Sequence, residues 1–169
     1  MKLSALSTGA MIAAFYAVLT VALAPISYGP VQFRVSEVLT LLPWYLPEAV
    51  PGLFIGCVLA NFYGGYGVAD MVFGSLATLL GALLTRRAPK LWLAAIPPVV
   101  SNMVIVGAML HFIADVPLAA TAFYVGLGEA GACFLVGIPV MKLLERRGIL
   151  PAVSSPAKLD VRPPLGNNN

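Results

Sequence analysis

The sequence predicts an all-α membrane protein, a bundle of about six transmembrane helices with both termini cytoplasmic. Three observations carry this. Of 169 residues, 60% are hydrophobic and 10% are charged, whereas a soluble domain carries about 25% charged residues. The uncharged runs are long and continuous, where the strands of a β-barrel would alternate. The charges that remain sort by side of the membrane. With a mean hydropathy of +0.92, the soluble globular, disordered and disulfide-scaffold classes are excluded together. Cys57 and Cys133 both lie inside apolar runs and read as small core residues, not a bridge.

Residues 3–33 hold no charge over 31 positions. A span needs about 20, which places the first helix at about 5–27, closed by Ala24-Pro25 and Gly29-Pro30. Only Lys2 precedes it and no clean cleavage site follows, so it reads as a retained helix and not a removed signal peptide. The stretch 35–47 comes next, after Arg34 and Glu37. As an α-helix it reaches about 20 Å against a hydrocarbon core of ~30 Å. It is therefore either tilted and shielded by neighbours or a broken, partial span. Runs at 49–69, about 68–85, 91–110 and 116–141 complete six spans.

Lys2, the Arg86/Arg87/Lys90 group and the Lys142/Arg146/Arg147 group belong on the cytoplasmic side. Four spans and then two separate them correctly, as would two and two with a different pairing of the short helix. Counting Glu48 and Glu145, the inner side sums to +5. The outer side, with Arg34, Glu37, Asp70, Asp115 and the intramembrane Glu129, sums to −3. The basic pI thus reflects membrane orientation and not nucleic-acid binding. Residues 1–148 form the membrane domain, and the proline- and asparagine-rich 149–169 read as a flexible cytoplasmic tail.

Several residues need a reason to be where they are. Glu129 falls mid-span, where a carboxylate costs roughly 2.5 to 3.5 kcal/mol. Gly126, Gly128, Ala130, Gly131 and Ala132 leave room beside it for a ligand or another backbone; the structural alternative is a pair with Arg34 or an asparagine. Asn102 follows Pro97-Pro98 by about a turn, at a kink with freed carbonyls, and serves either as polar lining or as interhelical glue. Gly52, Gly56 and Ala60 form a close-packing face, with Cys57 and Asn61 on the next stripe. Asn61 and Asp70 each suit a site or a helix terminus. Arg34 and Glu37, three apart, share a helix face as a surface ion pair or as part of a lid that includes Tyr28 and Gln32. On the first helix, Gly9, Ala13 and Ala17 make a small-residue stripe for internal packing or for docking onto another membrane subunit.

The sequence contains no phosphate-binding G-x-x-x-x-G-K-[ST], no H-E-x-x-H and no G-x-S-x-G motif. Its single histidine, His111, offers no metal-ligand set. One histidine and one buried carboxylate are a thin catalytic inventory.

The segments Tyr28-Gly-Pro-Val-Gln-Phe-Arg-Val-Ser-Glu37, Pro51-Gly-Leu-Phe-Ile-Gly-Cys-Val-Leu-Ala-Asn61, Asp70-Met-Val-Phe-Gly-Ser-Leu-Ala-Thr78, Pro98-Val-Val-Ser-Asn102 and Val125-Gly-Leu-Gly-Glu129 together resemble the QueT family over about 5–147. These are substrate-binding S components of energy-coupling-factor (ECF) vitamin transporters associated with queuosine precursors. The resemblance implies a six-helix S component in a bacterial cytoplasmic membrane. Such a protein captures a 7-deazaguanine base from outside and docks on an EcfT-like subunit with two ATPases. No cofactor would be bound by this chain, and ATP would be used by the partners. In such proteins the first helix offers an Ala-x-x-x-Ala surface, here Ala13 and Ala17, and the following loop, here about 28–36, covers the substrate.

Chemically, Glu129 suits the N1–H and amino donors of such a base, and Asn102, Asn61 or Gln32 suit mixed contacts. Glu37 and Asp70 would attract a cationic ligand. Tyr28, Phe33, Trp44 or Tyr63 would stack on the ring. Two other readings compete: a small proton-coupled carrier using Glu129, and an intramembrane enzyme.

Overall fold

The computed structural model describes residues 3–28, 32–64 and 66–152, and among these every regular element is helical. The elements are α1 (Leu3–Ala22), α2 (Val35–Trp44), α3 (Ala49–Phe62), α4 (Gly67–Thr85), α5 (Leu91–Ala114) and α6 (Leu118–Arg146). Four of these, α1, α4, α5 and α6, are long and apolar enough to cross a membrane. At 10 and 14 residues, α2 and α3 fall short of the ~20 that a full span needs. The expected third span, 49–69, is shorter than its uncharged run because the chain leaves the helix after Phe62. Most of the expected tail lies outside the described residues.

The bundle exposes apolar side chains as well as burying an apolar core. Phe15, Phe62, Phe112 and Leu135 face outward, while Thr20, Ser36, Glu37, Asn61, Asp70 and Thr78 are fully buried. A bilayer rewards that arrangement, because apolar side chains face lipid and polar groups must find partners within the protein.

The seam between α1 and α3 is made by the absence of side chains. A Cβ on Gly52 would stand 2.5 Å from the Gly9 carbonyl oxygen, and one on Gly56 would stand 2.8 Å from that of Ala13. The close-packing face expected on α3 is thus used against α1. It divides the α1 stripe: Gly9 and Ala13 are buried in the seam, Ala17 is half-buried, and the exposed small residues are Ala10 and Ala14.

The short α2 is a 3₁₀ helix threaded through the protein interior. Its Ser36, Glu37, Val38 and all of Thr40–Trp44 are buried. At about 2.0 Å rise per residue, a 3₁₀ helix covers more depth per residue than an α-helix. Protein shields it from lipid, as its length required. It packs on α6 where that helix widens into a π-helical segment, Gly131–Gly137. There Phe33 faces Gly131 and Leu41 faces Gly137, each within 3 Å of where a Cβ would sit.

In α5 the two prolines start a new helical stretch after a break at Ala95. Pro98 cannot donate to the carbonyl of Ala94 four residues back, and the Thr85 hydroxyl donates to that carbonyl at 2.8 Å. At the other end of α5, Asp115 caps the helix in a left-handed conformation (φ 51°) and His111 Nδ1 contacts the Val116 carbonyl oxygen at 2.6 Å.

The two ends of the bundle differ. At one, Trp44 Nε1 donates to the Ala88 carbonyl at 2.9 Å, the Tyr45 hydroxyl donates to Glu145 at 3.2 Å, and Gly9 approaches the Glu48 carbonyl. This is the end where α1 begins, α6 finishes and the Arg86–Lys90 connection lies. Ser27, Tyr28, Arg34, Asn61 and Asp70 gather toward the opposite end.

Candidate functional site

The site is built where chain leaving α1 meets α2, α3, α4 and α6. Arg34, immediately before α2, is drawn inward and pairs with Asp70 at 3.3 Å. Its guanidinium also lies 5.5 Å from the centroid of the Tyr28 ring, and its Nε donates to the Ser27 carbonyl at 3.4 Å. The Tyr28 hydroxyl in turn donates to the Ala60 carbonyl at 2.5 Å. These contacts fasten the chain on both sides of Gly29–Val31, which lie outside the described residues, so the expected 28–36 cover is described only at Tyr28 and from Gln32 onward.

Asp70 occupies the first position of a π-helical segment, Asp70–Gly74, within α4. Asn61, from the last turn of α3, donates to its backbone carbonyl at 2.9 Å. Gly74 makes this approach possible, since a Cβ there would lie 2.6 Å from Asn61 Nδ2 and 2.8 Å from Asp70 Oδ1. Neither residue is the simple helix terminus that sequence position allowed. The pairing of Arg34 with its neighbour Glu37 also gives way. Asp70, 36 positions along the chain, takes the guanidinium.

Glu37 instead accepts a hydrogen bond from the Tyr16 hydroxyl through Oε1. Its backbone carbonyl accepts from Thr40 at 2.6 Å and faces the Cys133 thiol at 3.7 Å. Its second carboxylate oxygen, Oε2, is buried and unpartnered. Glu129, on α6, is 3% exposed, within electrostatic reach of Glu37 and Arg34, and has an unpartnered buried Oε2. The alternative expected for Glu129, a structural pair with Arg34 or an asparagine, does not form among the described residues.

Orphaned polar atoms define what this region can do. Among the described residues they are Ser27 Oγ, Gln32 Nε2, Glu37 Oε2, Asn61 Oδ1, Asp70 Oδ1, Ser75 Oγ and Glu129 Oε2. A buried polar atom without a partner costs about 1–3 kcal/mol, more when charged. So many orphans drawn from the same few elements are what a site lined for a polar ligand leaves behind. Acceptors dominate. Gln32, held in a left-handed backbone conformation (φ 46°), is the orphaned amide donor.

Five of the sequence-selected residues, Gln32, Glu37, Asn61, Asp70 and Glu129, thus contribute orphaned atoms, while Arg34 pairs with Asp70 and stands over the Tyr28 ring. Asn102 is buried but donates to the Pro98 carbonyl one turn back at 3.1 Å, and no hydrogen bond among the described residues joins it to the others. Of the aromatic candidates, Trp44 lies at the opposite end of the bundle and Tyr63 is 72% exposed. Tyr16, Ser27 and Ser75 were not selected from sequence. The available signal for Tyr16 was its pairing with Thr20, one turn on, in an otherwise apolar helix.

The QueT transporter family model matches residues 6–146, which takes in all of these elements. The chain is also 32% identical over 156 residues to a protein of Lactococcus lactis subsp. cremoris (strain MG1363) named queuosine precursor transporter QueT. That match covers 83% of this chain and 91% of the relative. No solved structure matches significantly. Both descriptions are of transporters, which are not enzymes, and they agree with long apolar helices around a buried polar interior. The chain belongs to the QueT transporter family.

Proposed function

We propose that this protein is the substrate-capture component of an ATP-driven, ECF-type importer for a queuosine precursor, a 7-deazaguanine base. The observation that carries the reading is the group of orphaned buried polar atoms on Gln32, Glu37, Asn61, Asp70 and Glu129, in a chain of the QueT transporter family. A 7-deazaguanine offers adjacent N–H and amino donors beside a carbonyl acceptor. Glu129 can receive the two donors together, and the Gln32 amide can donate to the carbonyl.

In this reading all of α1–α6 traverse the bilayer region, with α2 and α3 shielded by the longer helices. The basic end, with both termini, is cytoplasmic by the positive-inside rule, and the site opens toward the outside of a bacterial cytoplasmic membrane. The protein binds no cofactor of its own, and partner ATPases hydrolyse the ATP. An EcfT-like subunit docks on α1, where Gly9, Ala10, Ala13 and Ala14 line an apolar groove shared with Ile55 and Leu59 of α3. Reorientation of the docked protein releases the base inside.

The unpartnered Glu129 also supports a second reading, a proton-coupled carrier in which that carboxylate exchanges a proton for substrate. Uptake of labelled precursor separates the two. Cells carrying this chain alone take up nothing, and adding the membrane subunit and ATPases restores uptake that survives collapse of the proton gradient. Uptake by the chain alone, stopped by that collapse, refutes the ECF reading in favour of the carrier.

A further inference from the structure

We infer that the basic end of α6 carries a binding site for one anionic phospholipid, its phosphate held by Lys142 and Arg146 and its acyl chains laid along the apolar residues beside them.

A groove of about 390 Å³ lies on this face, lined by Ile138, Pro139, Lys142, Leu143 and Arg146. The helical repeat assembles it. Ile138, Lys142 and Arg146 follow one another at one-turn spacing, and Pro139 and Leu143 do the same on the adjoining row. Both rows begin apolar and end basic, the first at Arg146 and the second at Arg147. The face therefore grades from apolar to cationic over about 12 Å of helix. One turn before Pro139, the apolar side continues at Leu135, which is 77% exposed.

The two cations are available. Both side chains are exposed, and no carboxylate among the described residues pairs with either. Glu145, the acid that lies between them in sequence, accepts from the Tyr45 hydroxyl at 3.2 Å instead.

That gradient selects the occupant. A free phosphate would use the cations and leave the apolar wall of Ile138, Pro139 and Leu143 unused. A zwitterionic lipid would use the wall but bring a cation of its own toward Lys142 and Arg146. An anionic phospholipid uses both. Its phosphate sits where its acyl chains begin, and lysine and arginine reach that level while their stems stay on apolar surface. Arg87 and Lys90 are exposed at the same end of the bundle but line no part of the groove, so they supply the comparison.

The test is titration of the purified, delipidated full chain in nonionic detergent with phosphatidylglycerol and with phosphatidylcholine of matched acyl chains. Native mass spectrometry counts the bound lipid, and inorganic phosphate is the competitor that lacks acyl chains. Lys142→Gln/Arg146→Gln removes two charges inside the groove, and Arg87→Gln/Lys90→Gln removes two outside it. The wild type binds one phosphatidylglycerol tighter than phosphatidylcholine by on the order of 10- to 30-fold, from two basic contacts. That ratio falls toward one in the first double variant and stays in the second. All of the exchanged side chains are exposed, so circular dichroism should show the fold unchanged. Equal affinity for the two lipids in the wild type overturns the charge recognition. Loss of the ratio in both double variants, or in neither, overturns the location. Ready displacement by inorganic phosphate overturns the lipid, because the acyl chains would then contribute nothing. Failure of folded wild type to bind phosphatidylglycerol overturns the site. If Lys142→Gln/Arg146→Gln then also loses partner subunits on co-purification, the occupant is an acidic protein surface instead.

Discussion

Replacing Asp70 by asparagine strands Arg34 as a buried, uncompensated cation. The two charged groups are 3.3 Å apart with side-chain exposures of 3% and 0%. At an effective dielectric of ~20, two unit charges at that separation attract by about 5 kcal/mol. Desolvation offsets much of this, so the pair itself contributes little net stability, yet removing one partner costs about 3–5 kcal/mol. Arg34 also steadies Tyr28 and Ser27, so the damage should concentrate where chain leaving α1 meets α3 and α4. Asp70→Asn, Arg34→Gln and the double variant form a cycle, with unfolding followed by circular dichroism in detergent. Each single variant should lose about 3–5 kcal/mol, and the double should recover at least about 2 kcal/mol relative to their sum. Additive losses would refute the ion pair as the fastening of this region.

Three further outcomes follow from other contacts. Gly52→Ala places a methyl group 2.5 Å from the Gly9 carbonyl oxygen, where neither backbone can yield. It should cost ~3 kcal/mol by overpacking, seen as a lower midpoint of thermal unfolding. Thr85→Val leaves the Ala94 carbonyl without the hydroxyl that donates to it at 2.8 Å and should cost about 1–3 kcal/mol; unchanged stability would mean that the carbonyl has another partner. Ala14→Trp fills the groove between α1 and α3 from its exposed α1 side. It should abolish uptake in the complete transporter while ligand affinity, measured by titration, stays within about twofold.

Much of this protein was legible because charge is expensive in an apolar run. Glu129 and Asp70 announce themselves by position, and each carries a buried oxygen without a partner among the described residues. The repeat of Gly52 and Gly56 likewise announces close packing, but not its partner. Only the fold reveals that Gly9 and Ala13 pack in that seam and also line the groove beside it, together with the exposed Ala10 and Ala14.

Partner choice was equally hidden for Arg34. Spacing favoured Glu37, three residues away, whereas tertiary structure brought Asp70 to the guanidinium and Tyr16 to Glu37. Tyr16 was missed because a tyrosine in a membrane helix ordinarily reads as an interfacial anchor. Trp44 was selected as a stacking residue, but its indole N–H is bonded to Ala88 at the basic end. The length of α2 could be read from the charges that bound it. Its 3₁₀ winding could not, since that depends on how α1 and α6 pack around it.

The central claim is that this chain alone captures a 7-deazaguanine, and titration of the purified protein without partner subunits tests it most directly. Guanine and riboflavin serve as controls, and Glu129→Gln is run in parallel. The prediction is saturable, selective binding of a 7-deazaguanine precursor, weakened on the order of tenfold or more in the variant. Folded protein that binds no precursor, or that binds riboflavin equally well, would contradict it.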